Sequence, residues 1–213
     1  MEIRITAVSA RSGGEEFEVC FELSNGEHAE KRSLMISSSQ YLVLCPQRGA
    51  CDEQTFDEIK YASDVWCATK RGIFILGYGA CSEKALAAKL VSKGFGRDIA
   101  ADAVRAIVAK GLLRPADDAA RAAEKMVMKL WGKRRIISAL YEKGYSAEAV
   151  TGAIFALEDG GVDFEENCKR LAREKYSVTE LDVSEQAKIY SALSRYGYSS
   201  SEIKSAILCL KTE

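Results

Sequence analysis

The sequence predicts a mainly α-helical protein: tandem three-helix modules in an extended curved array, preceded by a small antiparallel β segment. Two observations carry that expectation. Apolar residues alternate with polar ones near the N-terminus, and from Thr55 onward a 3.6-residue period takes over and repeats itself three times. With only two prolines in 213 residues, long helices are permitted. The predicted divisions are residues 1–54 (β-rich), 55–113, 114–160 and 161–213, the last three being one module each.

In the first part, Ile3 and Ile5 alternate with charged or polar neighbours. Phe17, Val19, Phe21 and Leu23 place four apolar side chains on one strand face. Asn25–Gly26 follows directly, and both residues suit the positive φ of a tight hairpin. Leu34 and Ile36 belong to the returning strand, Tyr41–Leu44 to a further short one, and Gly49 to a turn. A sheet this small is marginal alone, so something must cover its apolar face.

The helical part is read from its repeat. Leu86, Leu90, Gly94, Phe95, Ala103, Val104 and Ile107 return as Ile136, Leu140, Gly144, Tyr145, Ala153, Ile154 and Leu157. They return again as Ile189, Leu193, Gly197, Tyr198, Ala206, Ile207 and Leu210. The first two positions, four apart, share a helix face. The glycine four residues later stops the helix in a left-handed conformation, and the aromatic after it folds back over the last turn. Ser146 and Ser199 are N-cap candidates for the next helix, Ser199 with Glu202 having capping-box spacing. The repeated alanine allows close helix approach. A preceding helix completes each module: Tyr61–Leu76, Asp118–Leu130 and Phe164–Tyr176. No module buries much core alone, so neighbours must supply the rest.

Chemical motifs are sparse. No phosphate loop, dinucleotide glycine motif, HExxH or GxSxG is present. Gly72, Gly77 and Gly79 read as the end of a helix and the turn after it. Asp117–Asp118 and Glu165–Glu166 read as helix N-terminal acids, since adjacent acids face different ways. The seven cysteines lack CxxC spacing and read as buried thiols, and His28, the single histidine, reads as a solvated loop residue. No catalytic centre, metal or cofactor is expected. No apolar run has the length of a signal peptide or membrane span, so a cytoplasmic protein without membrane contact is expected.

The net charge of −1 hides a division. Residues 1–60 hold six Lys/Arg against eleven Asp/Glu, and residues 61–213 hold 24 against 20. From Arg121 to Lys143, seven basic residues meet only Glu124 and Glu142. Such a patch suits an acidic protein surface or a phosphate backbone, or it is an ordinary solvated helix face.

The stretches CSEKALAAKLVSKGF, LLRPADDAARAAEKMVMKLWGKRRIISALYEKGY and YSALSRYGYSSSEIKSAI resemble RecX, the bacterial regulator of the RecA recombinase. The resemblance runs from about Ala62 to Leu210. It rests on Ser82–Glu83 before Leu86, Leu90, Gly94 and Phe95, on Gly132–Lys133–Arg134–Arg135–Ile136, and on Asp117–Asp118. Ala120 and Arg121 depart from the phenylalanine–alanine that follows the acidic pair in that family. The N-terminal segment resembles extensions found in some members. The resemblance implies a non-catalytic monomer that lies in the groove of a RecA–DNA filament and inhibits ATPase and strand exchange, acting in DNA repair, recombination and the SOS response. The expected contact surface, to recombinase or weakly to DNA phosphates, is Arg121, Lys125, Lys129, Lys133, Arg134 and Arg135. Lys125, Lys129 and Lys133 form one stripe if their helix continues. The alternatives are a free-standing nucleic-acid-binding helical protein and a generic helical scaffold for protein interaction.

Overall fold

The computed structural model describes residues 2–26, 28–176 and 182–212. They form β1 (Glu2–Arg11), β2 (Glu16–Ser24), β3 (Ala29–Ser37), α1 (Ser38–Leu44) and β4 (Gly49–Cys51). Nine further helices follow among these residues: α2 (Glu53–Leu76), α3 (Glu83–Ser92), α4 (Arg97–Ala109), α5 (Pro115–Val127), α6 (Lys133–Glu142), α7 (Ala147–Asp159), α8 (Phe164–Lys175), α9 (Val183–Arg195) and α10 (Ser200–Thr212). The chain is mainly helical, with tandem helices behind a small antiparallel sheet. It divides into two compact units, 1–79 with 86–113 and 80–85 with 114–213. Among the described residues no helix is long and apolar enough to cross a membrane.

In the first unit the sheet runs β3-β2-β1-β4, every pair antiparallel. Gly26 takes φ +79° at the β2–β3 turn, as its sequence suggests, and His28 is exposed there. Val19, Phe21, Leu23, Ile3, Ile5 and Ile36 are buried under Phe56, Ile59 and Ala62 of α2, which is the cover the sheet requires. Glu16 ties the two layers together. Its carboxylate accepts hydrogen bonds from Trp66 Nε1 and Lys70 Nζ, both at 2.9 Å. These contacts, Lys70 first, hold its carboxyl down at about 2.

Four local expectations in this unit are corrected. Tyr41–Leu44 lie in helix α1, because Ser37 and Gln40 form a reciprocal capping box: Ser37 Oγ accepts from Gln40 N at 3.3 Å, and Gln40 Oε1 accepts from Ser37 N at 2.8 Å. Gly49 belongs to β4, an edge strand pairing Gly49–Cys51 with Ile3–Ile5. The first module helix begins at Glu53, well before Tyr61, because Asp52 caps it through Thr55 N at 2.7 Å. One long helix therefore serves both the sheet and the helical packing beyond it. Gly72 is also not at a helix end. It lies inside α2, where a Cβ would come within 2.5 Å of Ile107 Cδ1, while Gly77 ends the helix.

Packing within the modules follows one scheme. The first and third helices of each lie side by side: α2 with α4, α5 with α7, α8 with α10. Small residues four apart make the approach possible on the first helix: Ala68 and Gly72, Ala119 and Ala123, Cys168 and Ala172, all buried. The third helix answers with the repeated Ala103, Ala153 and Ala206, each at most 1% exposed. An apolar position outside the sequence-derived repeat joins them: Ala100, Val150 and Ile203 are buried at equivalent places. In α10 that shifts the burial toward the start of the helix, leaving Ile207 and Leu210 half-buried. Of the cysteines, only Cys81 and Cys168 are buried, which corrects the reading of all seven as core thiols: Cys45 and Cys67 are exposed, and Cys20, Cys51 and Cys209 lie between. Burial pushes the Cys168 thiol up to about 12.

Candidate interaction surface

The surface is built on turns that the repeat supplies. Gly94, Gly144 and Gly197 take φ of +97°, +82° and +92°, so the same left-handed residue ends α3, α6 and α9. The next amide bonds back to the helix each time: Phe95 N to Leu90 O, Tyr145 N to Leu140 O and Tyr198 N to Leu193 O. Tyr145 and Tyr198 are buried at 7% and 1%, and Phe95 is half-buried. The capping box expected at Ser199 forms, Ser199 N donating to Glu202 Oε2 at 2.6 Å and Glu202 N to Ser199 Oγ at 3.3 Å.

In the second unit this device also docks. The turn after α6 meets the segment that begins α3: Ser82 Oγ donates to Lys143 O at 2.5 Å, and a Cβ on Gly144 would lie 3.0 Å from Ser82 Oγ. The turn after α9 meets the segment that begins α6 at equivalent positions. Gly132 N donates to Tyr196 O at 2.8 Å, and Arg134 N to Gly197 O at 3.1 Å. A Cβ on Gly132 would lie 2.4 Å from Gly197 C, and one on Gly197 would lie 2.3 Å from Arg135 N. Tyr198 Oη donates to Leu130 O at 2.8 Å. Leu130 itself stands at φ +54°, a conformation costly for a branched residue, so the α5–α6 turn is held by what packs on it.

That turn decides where the basic residues go. Helix α5 ends at Val127, so Lys125, Lys129 and Lys133 do not share one continuous stripe. Arg121, Lys125 and Lys129 instead line a groove of about 470 Å³ with Trp131, Tyr145 and Lys143. Lys143 is absent from the sequence-derived contact set, although it closes the basic stretch; its place beside Lys125 depends on the α6 turn. Asp118 pairs with Arg121 at 3.2 Å, whereas Lys125, Lys129 and Lys143 are exposed and have no carboxylate partner among the described residues. Burial and the neighbouring Asp118 raise the Tyr145 phenol above its ordinary value.

The other three predicted residues lie elsewhere. Lys133 pairs with Glu158 at 2.6 Å. The Arg135 guanidinium stacks on Trp131 at 4.0 Å and lies 5.4 Å from the Tyr196 ring, a structural role. Arg134 is exposed. Asp117 and Asp118 sit in the first turn of α5, with Arg114 at the N-cap, so they face the helix dipole without capping the helix. Asp163 is the residue that caps α8, accepting from Glu165 N and Glu166 N. Among the described residues no group of three or more His, Cys, Asp or Glu is arranged to hold a metal ion.

Comparison with solved structures finds the same fold. A crystal structure of regulatory protein RecX matches with a TM-score of 0.71 at 18% identity, over 99% of this chain and 100% of that one. The fold is that of RecX. A second crystal structure, RecX from Lactobacillus salivarius, matches with a TM-score of 0.62 at 21% identity, over 71% of this chain and 99% of that one. No protein-family model and no curated protein sequence matches. The first match spans nearly the whole chain and so takes in the sheet.

Proposed function

We propose that this protein regulates the RecA recombinase by binding in the groove of the RecA–DNA filament in the cytoplasm, inhibiting ATP hydrolysis and strand exchange without chemistry of its own. The observation that carries the reading is the match to RecX over 99% of this chain and 100% of the other. Arg121, Lys125, Lys129 and Lys143 are the proposed contacts. Their groove gathers cations on a scaffold fixed by glycine-to-backbone contacts, so little side-chain-independent ordering is required on binding. Acidic side chains of the recombinase or DNA phosphates would pair with them, and contacts at several protomers add through effective concentration.

The test is a titration of the protein into the host recombinase on single-stranded DNA, following ATP hydrolysis. Substoichiometric inhibition is expected. Tight binding to naked DNA without inhibition would replace this reading with a free-standing nucleic-acid-binding protein, whose salt dependence would report the number of phosphates engaged. The double variant K125E/K129E, at exposed positions, is expected to weaken inhibition by roughly tenfold or more while leaving helicity intact. Unchanged inhibition by that variant would remove the groove from the contact surface.

A further inference from the structure

The first unit carries a second groove that the function above does not use. It has a volume of about 800 Å³ and lies between α1 and α2. Val43, Tyr61, Ala62 and Val65 are among its apolar lining. Val43 is 83% exposed and Tyr61 41%, an open apolar face rather than a closed core. The charged lining is acidic, Asp57, Glu58 and Asp102, with no Lys or Arg, beside the neutral Ser39, Gln40 and Gln54. Asp102 is already engaged, accepting from Tyr61 Oη at 2.9 Å and pairing with Arg105. Glu58 accepts only from the neutral Gln54 at 3.0 Å, and Asp57 has no cation partner among the described residues. The groove is therefore apolar along its floor with uncompensated negative charge on the α2 rim.

We propose that this groove docks an amphipathic helix of a partner protein, one whose apolar stripe is flanked by lysine or arginine. An apolar trough accepts a helix through side chains at i, i+3 or i+4, and i+7, and charge at the rim selects the flanks. A rim of Asp57 and Glu58 favours basic flanks and rejects acidic ones. The α1 helix that forms one wall is held by its capping box and by Gln40 Nε2, which donates to Ala62 O at 2.9 Å, so the trough is preformed. A second copy of this chain is the weaker occupant. The exposed face of α10 presents Lys204 and Lys211, but its large apolar side chain there is Leu208 alone, and such a head-to-tail contact would propagate into open assemblies.

The experiment measures fluorescence anisotropy of two labelled synthetic helical peptides with the full-length protein. Both carry leucine at i, i+4 and i+7; one has lysine flanks and the other glutamate. The lysine peptide is expected to bind, and the glutamate peptide to bind at least roughly tenfold more weakly. Val43→Gln is expected to weaken the lysine peptide roughly fivefold, and D57K/E58K roughly tenfold or more. All three positions are exposed, and an unchanged circular dichroism spectrum would show that the variants fold. Equal binding of the two peptides, or binding indifferent to Val43→Gln, would overturn the proposal. Sedimentation that shows a dimer abolished by Val43→Gln would also overturn it, by giving the groove to a second copy. No recombinase enters the assay, so its outcome is independent of the filament reading.

Discussion

The turns after α3 and after α9 have nearly the same sequence signature and backbone, yet they do different work. Gly94 at φ +97° has open space where a Cβ would stand, and Phe95 beside it is half-buried. Gly197 at φ +92° is pressed against the backbone of Arg135, and Tyr198 beside it is buried to 1% with its hydroxyl committed to Leu130 O. The first turn only ends a helix. The last also locks the turn between α5 and α6, on which Lys129 and Trp131 stand. A repeated motif thus sets a repeated conformation, but its energetic weight depends on what is placed against it.

Substitution can separate the two roles. Gly197→Ala combines left-handed strain with a collision against backbone that has little room to move. A loss of more than about 3 kcal/mol in chemical denaturation is expected. Gly94→Ala faces strain alone and is expected to cost about 1–2 kcal/mol. Equal losses would mean that the docking of Gly197 adds nothing. Tyr198→Phe keeps the ring and orphans the buried Leu130 carbonyl, for an expected loss of about 1–3 kcal/mol. Because the groove lies on the same turn, this variant should also lower affinity for the recombinase filament, a change that Phe95→Leu should not produce.

In the first unit, Glu16 has a folded-state pKa of about 2 against an ordinary value of 4.5. Its ionised form therefore stabilises the fold fully above about pH 5, and that contribution is lost as pH falls through 4 toward 2. Glu16→Gln should flatten the acid limb of a stability profile in that window, and an unchanged profile would deny the Lys70 and Trp66 contacts their role. The smallest effect is expected at Gly152, exposed inside α7 with nothing within 4 Å of a Cβ. Gly152→Ala should raise stability by about 0.5–1 kcal/mol through helix propensity alone.

Much of this was legible in the residues because it is local. Gly26, Gly94, Gly144 and Gly197 occupy the positive φ that their spacing implies, and Ser146 and Ser199 cap the helices they precede. The misread elements have equally local causes. The Ser37–Gln40 capping box outweighs the strand character of Tyr41–Leu44, and the Asp52 cap starts α2 before its apolar period becomes plain. The structure brings together only half of the candidate contact set. Arg121, Lys125 and Lys129 share a groove, whereas Lys133 and Arg135 are engaged by Glu158 and Trp131, partners distant in charge pattern or hidden as ring contacts.

The periods, the helix stops and the three-fold repetition can be read from the residues, because hydrophobic spacing and backbone conformation are properties of neighbouring residues. Which glycines are locked, which lysines lack a carboxylate partner among the described residues, and that Lys143 joins them, follow only from the fold. Those outcomes depend on distances between segments tens of residues apart, such as Gly132 against Gly197, and no local pattern encodes such a distance.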